Sequence, residues 1–396
     1  MKRVVVGISG GVDSSVAAYL LKEQGYEVIG AFMRNYHDTE GLLEGDCPQD
    51  DDRIIAELVA KKLDIPFHYI DLSVEYKKKI IDYMFAEYEK GRTPNPDVLC
   101  NREIKFDVFV KAVEHLNAHF VATGHYCQKG EIEIPNGKQF QLLKGADPNK
   151  DQSYFLCQLS QNQLSKILFP IGHLLKPKVR EIAKELNLPT AERKDSQGIC
   201  FVGKVDLPTF LQQQLKPKEG IVIEFPAKDK FLVSTKNIDN LSQEELEILA
   251  KPQPLTEMKG YFAGKHNGAH FYTIGQRKGL NIGGKEKPLY VVGMDIEKNV
   301  LYVGQGDDHP LLHRQALAID AMEMHWIRPD LKLKNGEKKA FSFRIRYRQP
   351  LQQGILYTFE KKSFIVFNEP QKSITPGQFA AWYQGNELIG SGVISE

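Results

Sequence analysis

The stretch that most constrains this chain is residues 2–15, Lys-Arg-Val-Val-Val-Gly-Ile-Ser-Gly-Gly-Val-Asp-Ser-Ser. Lys2 to Ile8 is a short apolar, β-branched run that reads as a buried strand. Ser9-Gly10-Gly11 is a glycine turn, and Val12 to Gln24 has helical periodicity until Gly25 stops it. A strand, a glycine turn and a helix N-terminus in succession form an anion site. The glycines let backbone N–H groups approach phosphate oxygens, and the helix dipole adds positive potential there. Neither G-x-x-x-x-G-K-[ST] nor G-x-G-x-x-G is present, so the loop is neither a Walker A motif nor a dinucleotide fingerprint.

The pattern S-G-G-x-D-S-S resembles the loop of the N-type ATP pyrophosphatases, the PP-loop enzymes. That resemblance implies ATP cleaved between its α and β phosphates, leaving an adenylated substrate and pyrophosphate. The residue types suit that chemistry. Ser9, Ser14 and Ser15 add hydroxyl donors to the backbone cradle, and Asp13 is a candidate to hold a Mg²⁺ shared with the phosphates. The implied ATP site comprises Gly7, Ile8, Ser9, Gly10, Gly11, Val12, Asp13, Ser14, Ser15, Met33 and Gly124.

The following segments extend the same rhythm. Strands are expected at Glu27 to Arg34, Phe67 to Asp71 and His119 to Tyr126, with a further one at Phe140 to Leu143. Helices are expected at Asp51 to Leu63, Val74 to Lys90, Arg102 to Asn117 and Lys176 to Asn187, and residues 35–50 read as a polar loop. Alternation at this spacing predicts an α/β fold: a doubly wound, mostly parallel sheet covered on both faces. Ligands then gather where the loops after Ile8, Met33 and Thr123 converge. A chain of 396 residues accommodates two or three domains. The rhythm breaks near Asp206, which divides the chain into an adenylating domain (1–205), a small mainly-β central domain (206–310) and an antiparallel β-barrel (311–396).

No run of eighteen apolar residues occurs, and the N-terminus starts directly in a strand, so the expected setting is cytoplasmic, with no membrane partner. A net charge of +1 gives no global attraction to nucleic acid. Any such partner needs a local basic patch, and residues 332–348 supply seven basic side chains against one acidic, Glu337. Within that run Phe341, Phe343, Ile345 and Tyr347 alternate with Ser342, Arg344, Arg346 and Arg348. The alternation predicts one core face and one face carrying three arginines along a strand, suited to RNA phosphates.

Five cysteines, at 47, 100, 127, 157 and 200, form no C-x-x-C and fit reactive or buried thiols better than a disulfide scaffold. Thr93-Pro94-Asn95-Pro96-Asp97-Val98-Leu99-Cys100-Asn101 sets Asp97 and Cys100 three residues apart. The two prolines predict a stiff extended segment leading into a helix start. The helix dipole there favours a thiolate, and a nearby Asp opposes it by charge but can serve as a base. Lys150-Asp151-Gln152-Ser153-Tyr154-Phe155 reads as a surface loop, and Lys194-Asp195-Ser196-Gln197-Gly198-Ile199-Cys200-Phe201 puts a second cysteine after a glycine turn.

Taken together, the PP-loop, TPNPDVLCN, Thr123-Gly124-His125-Tyr126, Lys150 to Phe155 and DSQGICF resemble the tRNA-specific 2-thiouridylase family. Thr273 to Leu280, Arg346-Tyr347-Arg348-Gln349 and Thr375-Pro376-Gly377-Gln378 continue the match in family order. The resemblance implies ATP-dependent sulfur transfer to C2 of the wobble uridine, position 34, of tRNA through an adenylated base. Cys100 and Cys200 fall on the family's functional cysteines, with Cys200 carrying a persulfide loaded by a sulfur-donor protein and a Cys100–Cys200 disulfide left after transfer. Asp97 is the candidate base, and Asn95, Pro96 and Asp97 lie beside the target base. His125, Lys150, Asp151, Gln152, Arg346, Tyr347, Arg348 and Gln378 are the expected tRNA contacts. Residues 229–260 form a family-atypical insertion, expected to be a solvated surface excursion. Three readings stay open beside this one: a PP-loop enzyme with an amine nucleophile, a non-catalytic nucleotide-dependent RNA binder, and an iron–sulfur cluster on Asp97, Cys100 and Cys200.

Overall fold

The structure, a computed structural model, describes residues 1–36, 49–135, 137–195, 198, 200, 206–228, 234 and 237–395. Strands β1 (Arg3–Gly7), β2 (Glu27–Arg34), β3 (Phe67–Asp71) and β4 (Phe120–Ala122) belong to a five-stranded sheet, which β7 (Ile167–Leu168) completes in the order β3-β2-β1-β4-β7. All its pairings are parallel. Val4, Val5 and Val6 are fully buried because each face of β1 is covered. Val4 and Val6 pack with Val16, Ala17 and Leu21 of helix α1 (Val12–Glu23), while Val5 faces Tyr76, Ile80 and Phe109 on the other side. This is the doubly wound arrangement expected.

The helix expected from Arg102 begins six residues earlier, at Pro96, and runs on as Pro96–Leu99, Cys100–Val108 and Phe109–Ala112. The Asn95 side chain accepts the Val98 N–H at 3.2 Å and Pro96 occupies the first turn, so the second proline opens the helix instead of delaying it. Cys100–Val108 is wound as a π-helix. The strand expected over His119 to Tyr126 stops at Ala122. From Cys127 the chain forms a hairpin, β5 (Cys127–Ile134) and β6 (Gly137–Lys144), whose first strand was not expected.

The central sheet has the order β10-β11-β8-β9, formed by β8 (Gly220–Phe225), β9 (Tyr261–His266), β10 (Leu289–Asp295) and β11 (Val300–Gln305). The C-terminal strands are β12 (His313–Trp326), β13 (Lys338–Arg344), β14 (Gln352–Thr358), β15 (Lys362–Lys372), β16 (Phe379–Gln384) and β17 (Glu387–Ile394). They close on themselves through β12–β17 pairing into a barrel around Trp382, Phe343, Phe367 and Ile365. The hairpin from the first domain continues this sheet, because Leu142 and Leu143 of β6 pair with Leu388 and Glu387 of β17.

Three expectations fail here. The stretch 229–260 is not wholly a solvated excursion: its helix Gln243–Ala250 buries Leu246, Leu249 and Ala250 against Ala316, Ala318, Tyr357 and Phe364 of the barrel. Lys150 to Phe155 is not a surface loop. Asp151, Ser153 and Tyr154 are buried, and the Tyr154 hydroxyl donates to the carbonyl of Phe379 in the barrel at 2.9 Å. Nor do three arginines share a solvent face. β13 ends at Arg344, whose side chain turns inward to Asp151 at 3.0 Å and lies over the Tyr383 ring. Past that point the backbone bends, and Arg348 adopts φ +62°.

Arg344 and Asp151 are both nearly enclosed, so losing one strands the other's charge. We expect Asp151→Ala to lower stability by about 3–5 kcal/mol in denaturant melts. Arg348→Ala, at an exposed position, should shift it by less than about 0.5 kcal/mol.

Candidate active site

The phosphate loop is held from within. Ser9 N–H donates to Ser14 Oγ at 3.1 Å, and the Ser14 and Ser15 hydroxyls donate to the Gly11 carbonyl at 3.2 and 2.8 Å. Ile8 N–H bonds the Ala31 carbonyl, tying the loop to β2. Gly10 has φ +72° and a Cβ there would stand 2.6 Å from the Asp52 carbonyl oxygen, so only glycine fits. Gly124 approaches from β4 so closely that a Cβ would meet Ser14 N at 2.6 Å. Val12 is buried behind the loop, and Met33 lies against Gly7, its Cε 3.1 Å from where a Cβ would stand. The structure thus gathers Gly7 to Ser15, Met33 and Gly124 at the carboxyl ends of β1, β2 and β4.

Sequence reasoning overlooked the cations around this loop. Lys176 Nζ, on a nearly enclosed side chain, lies 2.8 Å from both Asp13 carboxylate oxygens and 2.7 Å from Asp195 Oδ1. Asp13 Oδ1 also accepts the Tyr126 hydroxyl at 2.7 Å. Asp195 gathers Lys150 at 2.6 Å and Arg180 at 2.8 Å. Burial works against its charge, but hydrogen bonds from Lys150 and Lys176 outweigh this and hold the carboxyl at about 2. Arg193 Nη1 donates to the Gly10 carbonyl at 2.9 Å and pairs with Asp52 at 2.7 Å. The available signal was Lys176-Pro177, a helix start aimed at the loop: the helix Lys176–Glu185 has Pro in its first turn.

The second cluster holds sulfur. Cys100 is fully buried and Cys200 half-buried, and neither is in a disulfide. Cys200 N–H donates to Asp97 Oδ1 at 2.9 Å, and its carbonyl accepts the Tyr76 hydroxyl at 2.5 Å. These two bonds seat Cys200 on the helix that carries Cys100. The Cys100 thiol hydrogen-bonds the Cys200 sulfur and favours its thiolate; burial opposes this and Lys105 assists, holding the Cys200 thiol below its usual range. Cys100 itself is pushed well up by burial. Burial likewise raises Asp97, although the Cys200 N–H pulls the other way, so its carboxyl binds a proton more readily than usual. Cys127 and Cys157 are buried with thiols raised by burial, Cys157 to about 12, and are poor nucleophiles. Cys47 lies outside the described residues, as do Ser196, Gln197, Ile199 and Phe201.

The barrel reaches this cluster through Gln378, whose amide donates to the carbonyls of Thr93 and Pro94 at 2.9 and 3.0 Å and accepts from Asn95 at 3.3 Å. Thr93 N–H bonds the Pro376 carbonyl, and a Cβ on Gly377 would meet the Thr93 carbonyl oxygen at 2.8 Å. Asn95 and Pro96 are half-buried at this junction, beside Asp97. The expected RNA contacts divide. His125 and Asp151 are interior: His125 packs between the Phe106 and Phe169 rings, its Nδ1 bonds Thr123 Oγ1 at 2.7 Å, and burial lowers its basicity well below normal. Gln152 is bonded to the Tyr126 N–H and Lys150 to Asp195, which ties both to the phosphate-loop side. Arg346 and Arg348 are exposed, with Arg348 over the ring of Tyr347, which itself packs on Phe155.

Among the described residues no group of three or more His, Cys, Asp or Glu side chains converges as a metal site. Asp13 is the carboxylate nearest the loop, and it would share its oxygens between Lys176, Tyr126 and any Mg²⁺ that arrives on the triphosphate with most of its other ligands. In the cysteine cluster Asp97 Oδ1 is turned to the Cys200 N–H, and Lys105 puts a cation beside both sulfurs.

Because Asp195 is held low, its ion pairs stabilise the fold above the ordinary carboxylate range near about 4. That contribution is lost as pH falls through the folded value of about 2. The Tm gap between the wild type and Asp195→Asn should therefore be widest near neutrality and close between those two values. A pH-independent gap would contradict the assignment.

Family models match all three parts of the chain. One described as a tRNA methyl transferase HUP domain covers residues 2–204, a tRNA methyl transferase PRC-barrel domain covers 246–305, and an aminomethyltransferase beta-barrel domain covers 316–394. Among curated relatives, the tRNA-specific 2-thiouridylase MnmA of Flavobacterium johnsoniae is 59% identical over 395 residues, spanning 100% of both chains. The protein of the same name from Christiangramia forsetii is 58% identical, again over 100% of each. That from Bacillus pumilus is 42% identical over 100% of this chain and 95% of its own. Full-length identity at this level, over a glycine loop and a pair of neighbouring cysteines that lie in one domain, shows that the chain belongs to the tRNA-specific 2-thiouridylase family.

Proposed function

We propose that the chain makes 2-thiouridine in tRNA, at the wobble uridine, using ATP and a protein-borne persulfide. The observation that carries this reading is the seating of Cys200 against Cys100 by Asp97 and Tyr76, in the domain that also carries the phosphate loop. PP-loop enzymes with amine nucleophiles need no such pair. The family models' descriptions speak of methyl transfer, but a cysteine pair beside an adenylating loop serves sulfur chemistry.

Residues Ser9 to Ser15 bind the triphosphate, and Lys176 and Arg193 supply positive charge at its edge. Asp13 would hold a Mg²⁺ carried in by the triphosphate, sharing its carboxylate with Lys176, and the ion would neutralise phosphate charge. The uridine O2 attacks the α-phosphorus and pyrophosphate leaves, turning O2 into a good leaving group as AMP. The target base must be splayed out of the anticodon loop to reach Asn95, Pro96 and Asp97. Cys200 brings the outer sulfur of a persulfide loaded by a donor protein. Cys100 attacks the Cys200 sulfur, the persulfide S–S bond breaks, and the freed hydrosulfide displaces AMP from C2. A Cys100–Cys200 disulfide remains, and an external thiol reduces it before the next turnover. Asp97, with its raised carboxyl, passes the proton released in these steps.

The tRNA lies along the barrel side of the cleft, with Arg346 and Arg348 on phosphates and Gln378 fixing the barrel to the base pocket. No helix among the described residues is long and apolar enough to cross a membrane, and a cytoplasmic setting fits a tRNA substrate.

With purified protein, tRNA and a persulfide donor, Cys200→Ser should abolish 2-thiouridine formation while tRNA-dependent pyrophosphate release continues. A mutant that thiolates at the normal rate rules out the persulfide role. Replacing Arg346 and Arg348 together by Ala should weaken tRNA binding and reduce its salt dependence by about one ion per lost contact. An unchanged salt slope would remove both residues from the RNA surface.

A further inference from the structure

The helix from Pro96 to Ala112 is not a plain α-helix where it passes the sulfur site. Residues Cys100–Val108 are π-wound, with hydrogen bonds reaching five residues back. In an α-helix the residue five positions on from Cys100 lies well round toward another face. The wider turn instead stacks Lys105 beneath Cys100. Cys200 is pinned over the same face by the Asp97 carboxylate at 2.9 Å and the Tyr76 hydroxyl at 2.5 Å. Lys105 thereby meets both sulfurs, and hydrogen-bonds that of Cys200. The ammonium therefore sits where charge on either sulfur, together with Asp97, would be matched by a cation.

Resting on the sulfur-transfer reading above, we propose that Lys105 is the counter-ion of the sulfur site, holding the negative charge on the Cys200 sulfur as it accepts and carries the outer sulfur atom. In the loading step the Cys200 thiolate attacks the outer sulfur of the donor's persulfide. The new Cys200 S–S bond forms, the donor's S–S bond breaks, and the donor leaves as its own thiolate, so charge and electrons balance without a further reagent. Lys105 faces the anion before this step and the persulfide after it. Around the Cys200 sulfur stand Asp97, Cys100 and Lys105 from one helix and Tyr76 from another. Of these only Lys105 is cationic. Burial works against that charge, but the two sulfurs and Asp97 outweigh it and leave the ammonium more firmly protonated than usual.

The test compares Lys105→Met, Lys105→Gln and Lys105→Arg with the wild type in two assays. The first needs neither ATP nor tRNA: the rate of iodoacetamide labelling of Cys200 at neutral pH, read at the peptide level by mass spectrometry. Met and Gln should slow it about tenfold, the effect of removing one close opposite charge, whereas Arg should stay within about threefold of the wild type. In the second assay, 2-thiouridine formation by the Met variant should fall much further than tRNA-dependent pyrophosphate release. Labelling that is unchanged in Met and Gln overturns the proposal, and so does equal slowing in Arg, which would make the side chain a packing element. A wild type that labels as expected yet forms no 2-thiouridine would refute the sulfur-transfer reading, while the labelling comparison still decides the role of Lys105.

Discussion

The geometry of the whole molecule rests on the burial of residues 151–158 between the N-terminal doubly wound domain and the barrel. Asp151 accepts from Gly145 N–H and Ser153 N–H within its own domain, and its other oxygen holds Arg344 of the barrel. Tyr154 donates to Phe379, Ser153 bonds Tyr383, and Gln158 and the Cys157 carbonyl meet Ser391. Each of these polar groups would be costly if left unpaired in the interior, so the interface tolerates one register and rejects its neighbours. The β6–β17 pairing adds main-chain continuity to the same joint. The barrel is therefore held in one position relative to the first domain.

Two lysines, Lys176 buried and Lys105 half-buried, set the electrostatics of the two clusters. Lys176 is shared by Asp13 and Asp195 beside the phosphate loop, and Lys105 sits among Asp97, Cys100 and Cys200. In both places the ammonium is already oriented by anionic partners. A triphosphate, or a charged sulfur, meets a cation that needs little reordering, which is the physical content of preorganisation.

The sequence was readable wherever a residue's role is local. Strand β1, the glycine turn and α1 follow from a buried β-branched run, positive φ at Gly10 and helical periodicity, and each appears where expected. The pairing of Asp97 and Cys100 followed from the Pro-rich lead-in, although its second proline starts the helix. Misreadings came where two segments distant in sequence decide together. Arg344 looks like part of a solvated row because alternation says which face a side chain takes but not what covers that face. His125 was expected to touch tRNA, but Phe106 and Phe169 close over it in the interior. Leu246 and Leu249 looked like parts of a polar excursion because their partners, Ala316 and Phe364, lie in the barrel.

The sequence by itself determined the doubly wound first domain, the β-rich remainder and the strand, glycine turn and helix of the loop, since backbone conformation is carried by neighbouring residues. Tertiary structure alone decided which charges meet. Lys176 reaches Asp13 across 163 positions, and Cys200 reaches Asp97 across 103. No local periodicity encodes such a contact. Even Lys105, five residues from Cys100, shares its face only because the helix there winds in the π form, which turn-by-turn reading of a 3.6-residue period does not anticipate.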